Sequence, residues 1–317
     1  MIANLYLHAD ALKYNGTDSE VEFRQKFTSL LTDLRTIRNE YGDENVIKVS
    51  TSFYDGSVPL FGTKTIYDIA SELAYEEKNF IFSLMGNGAD IFESTLEQVT
   101  SQCKYSDGEK ECNTAVYLNK PLASEYKYPV TYMQFDRYEI VYGKDSWRTV
   151  RRQIMGNHPG KPQEFMDNCN RYFPNLHFHS NCTASVDGYL DLIPRKIVYY
   201  LSCMNDLLPD HLKTAKTTDE NALLSEFCGK YRFDEAGTRQ ASTRKKAAYQ
   251  FSFLKKDSED IPRNYKIITC DPHMKMSSCD SNCKKPKKDF VGRIYFHFGD
   301  SDVAPGKILV GSIGPHL

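Results

Sequence analysis

Ile2-Ala3-Asn4-Leu5-Tyr6-Leu7-His8-Ala9 is a short, mostly apolar run that reads as a buried strand. Behind it, residues 20–41 place Val21, Phe23, Phe27, Leu30, Leu31, Leu34 and Ile37 at spacings of three and four. That spacing is the period of an amphipathic helix. Asp18 is the expected N-cap, with Glu20 and Glu22 in a first turn whose free N–H groups favour negative charge. Residues 46–54 read as a second strand, 65–76 as a second helix, and 79–84 as a short apolar strand stopped by Gly86-Asn87-Gly88. Strand and helix alternating in this way fit an α/β unit, or the two layers of an α+β fold. Gly86-Asn87-Gly88 matches neither a dinucleotide nor a P-loop pattern and reads as a turn.

Composition sets wide bounds. The chain has 317 residues, 40% hydrophobic and 26% charged, enough to bury a core without disulfides or metals. Forty basic against forty-two acidic residues leave a net charge of -2, so a nucleic-acid partner would have to be met by a local basic patch. Nine cysteines, an odd number, and an opening without a basic segment or long apolar stretch argue against secretion. Runs such as Ile197-Val198-Tyr199-Tyr200-Leu201 are far shorter than a bilayer span. A cytoplasmic protein with no membrane partner and no cofactor is the expectation.

The middle of the chain offers three candidate sites. In Asp145–Ile154, Trp147, Val150, Arg151 and Ile154 share one helical face with Arg148 and Arg152 beside it. Guanidinium forks fit phosphate oxygens and an indole stacks on a base, so Trp147, Arg148, Arg151 and Arg152 are candidate nucleic-acid contacts; the alternative is a helix that buries Trp147 and leaves its arginines in water. His177 and His179, two apart on an expected strand, share a face and present two imidazoles, with Cys169 and Cys182 near in sequence. Cys279 and Cys283, with Cys270 upstream, form a second thiol group. Neither spacing matches an established zinc pattern, and no metal site is expected.

The polar stretches between 213 and 248, around a short helix at 220–228, read as a linker. The overall expectation is an α+β fold, with a mixed α/β domain over 1–212, the polar linker over 213–248, and an antiparallel β subdomain over 249–317. Strands are expected at 249–254, 265–270, 291–298 and 307–310. Alternation puts Arg293, Tyr295 and His297 on one face of strand 291–298, and Ile294, Phe296 and Phe298 on the other. His273 and Lys275 would join that face from a neighbouring strand. Lys284, Lys285, Lys287 and Lys288 add a basic loop suited to phosphates.

Imidazole, guanidinium, ammonium and phenol on one surface are the groups needed to cleave a phosphodiester without metal. A base takes the 2'-hydroxyl proton, an acid protonates the leaving oxygen, and a cation steadies the added charge. The run Pro272-His273-Met274-Lys275-Met276, then Arg293-Ile294-Tyr295-Phe296, then Lys307-Ile308-Leu309-Val310 resembles the core strands of the RelE/HigB-like ribonuclease toxins. That resemblance covers the last fifty residues. It implies messenger-RNA cleavage in a toxin or host-defence setting, with Arg293 at the family's strand arginine, Lys275 among its variable basic positions, and His316 the only counterpart to its C-terminal catalytic residue. The functional expectation is thus a nucleic-acid-acting protein, preferring RNA, with His273, Lys275, Arg293, Tyr295 and His297 as catalytic residues. Two alternatives stand beside it: a non-catalytic module that binds nucleic acid or a protein, and a metal-dependent nuclease or hydrolase.

Overall fold

The computed structural model describes residues 2–86, 88–103, 111–119, 139–141, 144–231, 233, 235–238, 247–276 and 292–317. The fold class is α+β. Two compact units divide the chain between Arg151 and Arg152.

The first unit is built on parallel strands β1 (Ile2–Leu7), β2 (Asn45–Ser50), β3 (Asp90–Phe92), β4 (Glu111–Tyr117) and β5 (Glu139–Val141). Their order is β3-β2-β1-β4-β5 and every pair is parallel, so the chain starts at the centre of the sheet and winds outward in both directions. Helices α1 (Glu20–Tyr41), α2 (Thr51–Tyr54), α3 (Ile66–Glu72), α4 (Tyr75–Met85) and α5 (Leu96–Gln102) fill the crossovers that parallel pairing requires. The apolar stripe of α1 packs inward through Phe23, Phe27, Leu30, Leu31, Leu34 and Ile37. Each such side chain contributes roughly 1.5–3 kcal/mol of gross burial energy. Val21 is the exception on that stripe and stays 65% exposed.

Local hydrogen bonding moves some of the expected boundaries. Ser19, not Asp18, caps α1: its Oγ accepts the Glu22 N–H at 3.2 Å while Glu22 Oε2 accepts the Ser19 N–H at 2.7 Å. Asp18 instead pairs with Lys26 at 2.8 Å. The second strand stops at Ser50, whose Oγ accepts the Phe53 N–H and starts α2. Residues 79–84, expected as a strand, lie inside α4, which buries Phe80, Ile81, Leu84 and Met85 on one helical face. A short apolar run has no period of its own to separate the two conformations.

Helix α6 (Lys144–Asn157) carries the division between the units. In the second unit, β6 (Leu176–Phe178), β7 (Glu235–Thr238), β10 (His273–Met276), β11 (Gly292–His297) and β12 (Ile308–Gly314) form a sheet of order β6-β12-β11-β10-β7; β6 joins in parallel and the others pair antiparallel. Strands β8 (Gln250–Leu254) and β9 (Tyr265–Thr269) form a separate antiparallel hairpin. Helices α7 (Pro162–Tyr172), α8 (Asn181–Leu190), α9 (Pro194–Asp206), α10 (Leu208–Thr214) and α11 (Glu220–Lys230) complete the unit. The most enclosed of them is α9, whose residues 196–205 are all buried. The boundaries expected at 212 and 248 are not where the chain divides. Strand β6 from upstream and β7 from within 213–248 both hydrogen-bond into the C-terminal sheet, so that sheet is not confined to 249–317.

Candidate functional site

Cross-strand register assembles the C-terminal group of residues. His273 lies directly opposite Tyr295, and Lys275 opposite Arg293, across β10 and β11. The part of that surface formed by His273 and Tyr295 is covered, while Lys275, Arg293 and His297 are half-buried. Phe251 and Phe253 of β8, Ile268 of β9, Tyr249 and Leu309 pack into one cluster with Tyr295, which is fully buried, and His273 is 2% exposed. The Tyr295 hydroxyl accepts from Arg293 Nη1 and from the Leu317 N–H, both at 3.3 Å, so its two lone pairs are filled from inside the protein. His273 donates Nδ1–H to the Asp271 carbonyl at 3.2 Å. Burial pushes its pKa down to about 4, with Arg293 and Lys275 adding to the shift and the Asp271 carbonyl opposing it. At neutral pH that imidazole is uncharged, and its Nδ1–H is already given to the Asp271 carbonyl. His297, at the half-buried end of β11, accepts the Gly299 N–H at Nδ1. The five residues are thus neighbours around two interior rings, and His273 and Tyr295 are closed to a polymer substrate.

The expected nucleic-acid helix face is interior as well. Trp147 is fully buried, donates Nε1–H to Asn45 Oδ1 at 3.0 Å and packs its ring 4.7 Å from Tyr41. Arg151, 2% exposed, reaches Glu44 at 3.1 Å within the first unit, and Arg152, 4% exposed, reaches Asp206 at 2.6 Å within the second. Burial pushes the Asp206 carboxyl up to about 7. A buried guanidinium without such a partner would cost several kcal/mol, which is why these arginines are paired and not offered to a ligand. Arg148 is half-buried on the same helix. Lys284, Lys285, Lys287 and Lys288, and with them Cys279 and Cys283, lie outside the described residues.

At the other histidine pair, both ring nitrogens of His179 are used: Nδ1 accepts the Asn181 N–H at 3.1 Å and Nε2–H donates to the Ser252 carbonyl at 3.3 Å. His177 and His179 pack against Phe253 at 5.8 and 5.0 Å, and burial lowers the pKa of both. Cys169 and Cys182 are buried thiols, raised by the same cause. Among the described residues, no three His, Cys, Asp or Glu side chains are grouped closely enough to hold a metal ion by themselves. None of the described helices is long and apolar enough to cross a membrane.

A site that sequence reasoning missed lies in the first unit. His8 and Asp10 follow β1, Ser50 ends β2 with Thr51, Ser52, Asp55 and Ser57 beyond it, Phe92 ends β3 with Glu93 to Thr95 beyond it, and they line one cleft of about 450 Å³. This is the carboxyl edge of the sheet, beside the point where strand order reverses, which is where open parallel sheets take their ligands. The lining contributes three exposed carboxylates, Asp10, Asp55 and Glu93, and no lysine or arginine. Asp10 pairs with Lys13 at 2.6 Å at the margin, and Asp55 accepts the Ser57 N–H.

His8 and Ser50 are the buried members of this cleft. His8 Nδ1 accepts the Asp10 N–H at 3.1 Å, and its ring lies 6.1 Å from that of Phe92, setting the end of β1 beside the end of β3. Burial lowers its pKa against the opposing pull of Asp10. Ser50 Oγ accepts the N–H groups of Ala9 and Phe53, and Thr51 donates to the Phe92 carbonyl, so the frame of the cleft is internally bonded. The carboxylates and the hydroxyls of Ser57 and Ser94 are what it offers outward. Comparison of the chain with protein-family models, with curated proteins and with solved structures finds no match.

Proposed function

We propose that the protein acts on nucleic acid through the carboxyl-edge cleft of the first unit, as a divalent-cation-dependent phosphodiester hydrolase. One observation carries this reading: three consecutive parallel strands deliver Asp10, Asp55 and Glu93 to a single cleft whose lining holds no cationic side chain. A bare phosphate is repelled by such a surface. A phosphate accompanied by magnesium or manganese is attracted to it, because these ions take one or two carboxylates and complete their shell with water and substrate oxygens. That mode of binding does not call for a cage of three protein ligands.

Within this reading Asp10 and Glu93 hold the cation, and Lys13 neutralises Asp10 when the cation is away. Ser57 and Ser94 donate hydroxyl protons to the phosphoryl oxygens. His8 keeps the two edges of the cleft at a fixed spacing. The cation supplies polarisation of the phosphoryl group and a more acidic water. The earlier expectation of metal-independent cleavage around Arg293 loses support, because His273 and Tyr295 are buried and His273 is neutral.

The test is cleavage of single-stranded RNA and DNA in magnesium or manganese and again in EDTA. Cation-dependent cutting is expected, and Asp10→Asn and Glu93→Gln are each expected to slow it on the order of a hundredfold, as loss of charge stabilisation does elsewhere. Cutting that persists in EDTA would return the chemistry to the β10–β11 residues. Tight binding without cleavage would establish the non-catalytic module, and saturable binding of an amine or polyol in place of nucleic acid would reassign the cleft.

A further inference from the structure

We infer that Asn15-Gly16 is a self-modification site, at which the asparagine side chain converts to aspartate and isoaspartate through a cyclic imide. The two residues sit on an exposed turn between the helical turn that carries Asp10 and the start of α1. Asn15 Oδ1 accepts the backbone N–H groups of Thr17 at 3.0 Å and Asp18 at 3.1 Å. Two donors on one amide oxygen draw electron density from Cγ, as an oxyanion hole does, and fix the side chain against the backbone that follows it. Gly16 has φ 85°, and a Cβ built on it would meet nothing within 4 Å, so no neighbour crowds this residue. Its own N–H makes no hydrogen bond among the described residues and remains available as the nucleophile.

In the reaction the Gly16 nitrogen attacks Asn15 Cγ and loses its proton. The bond from Cγ to the side-chain nitrogen breaks, and ammonia leaves with that proton. Water then opens the five-membered imide at one of its two carbonyls; attack at one gives aspartate, attack at the other isoaspartate. No oxidant or enzyme is involved. The rate rises with pH because the attacking nitrogen must give up its proton.

The two products differ in consequence. Aspartate keeps both N–H donors and adds a charge they favour, close to the Asp18–Lys26 pair. Isoaspartate lengthens the main chain by one methylene in the turn that leads to the Ser19 cap of α1 and cannot keep the same turn.

Full-length protein incubated under mild alkali, then mapped by peptide mass spectrometry in ¹⁸O water, reads the outcome. Residue 15 is expected to convert ahead of every other described asparagine, to incorporate the label and to yield both products. Asn15→Gln should abolish the signal, and Gly16→Ala should slow it on the order of tenfold, since a side chain at a positive φ strains the turn. The isolated peptide spanning residues 10–20 serves as control. If residue 15 remains an amide in the folded chain, whether or not the peptide converts, the site is overturned.

Discussion

Replacing Trp147 with phenylalanine separates a buried anchor from a stacking surface, because the chain has a single tryptophan and every fluorescence change must come from it. The ring is fully buried, and its Nε1–H is the donor to Asn45 Oδ1 at 3.0 Å. Phenylalanine keeps an aromatic face toward Tyr41 but removes the pyrrole portion, leaving a void worth about 1–2 kcal/mol. It also strips Asn45 Oδ1 of its donor while Asn45 Nδ2 stays bound to the Tyr41 carbonyl. A buried acceptor left alone costs about 1–3 kcal/mol. Together these give a destabilisation of roughly 2–5 kcal/mol in the first unit. Urea unfolding followed by far-ultraviolet circular dichroism, fitted with separate transitions for the two units, measures it. In the unsubstituted protein, native emission should be blue-shifted, poorly quenched by acrylamide and unchanged by saturating RNA. A stability loss below about 0.5 kcal/mol, the range of ordinary surface substitutions, accompanied by quenching on RNA addition, would refute burial and restore the stacking role.

Two further outcomes follow from buried titratable groups. His273, whose folded pKa of about 4 lies below the usual imidazole range, is neutral in the fold while the unfolded chain takes up a proton below about 6.5. Stability of the second unit should therefore fall as pH drops from about 6.5 to about 4 and level off below, by at most about 3 kcal/mol from this group. The slope over that window should be shallower in His273→Gln than in the unsubstituted protein; identical slopes would show that the ring is hydrated. Among the described residues seven cysteines, Cys103, Cys112, Cys169, Cys182, Cys203, Cys228 and Cys270, are buried thiols, and burial pushes Cys203 and Cys270 up to about 12. In native protein at mildly alkaline pH a thiol reagent should leave all seven unreacted until denaturant is added, and mass mapping that finds any of them labelled first would contradict the packing.

Periodicity carried much of the reading of elements. The stripe of α1 and the alternation of β11 are both statements about neighbours a few positions apart, and backbone geometry enforces them. The juxtaposition of His273 and Lys275 with Tyr295 and Arg293 was legible for the same reason, since β10 and β11 are adjacent and period two selects the face. What covers that face was not legible from β11 alone. The signal existed in β8, where Phe251 and Phe253 alternate with polar residues and demand an apolar partner; Gly311 supplies part of it, because a Cβ there would stand 2.6 Å from the Phe251 ring.

The cleft was missed for a topological reason. Asp10, Asp55 and Glu93 are each unremarked acids behind a strand or a short helical turn, and only the order β3-β2-β1 brings them to one edge. Local pattern fixes which way a side chain points from its own element, whereas convergence depends on which elements become neighbours. The arginines of α6 show the same limit in energetic form. Helical spacing put Arg151 on the face of Trp147, Val150 and Ile154, and that face is buried, so the placement was sound while the inference of a phosphate contact was not. Whether a buried guanidinium is tolerable depends on an acid arriving from far along the chain: Glu44 for Arg151 and Asp206 for Arg152. A charge on an apolar helical face therefore asks first for a distant counter-charge, and only when none arrives does it become a candidate for a ligand.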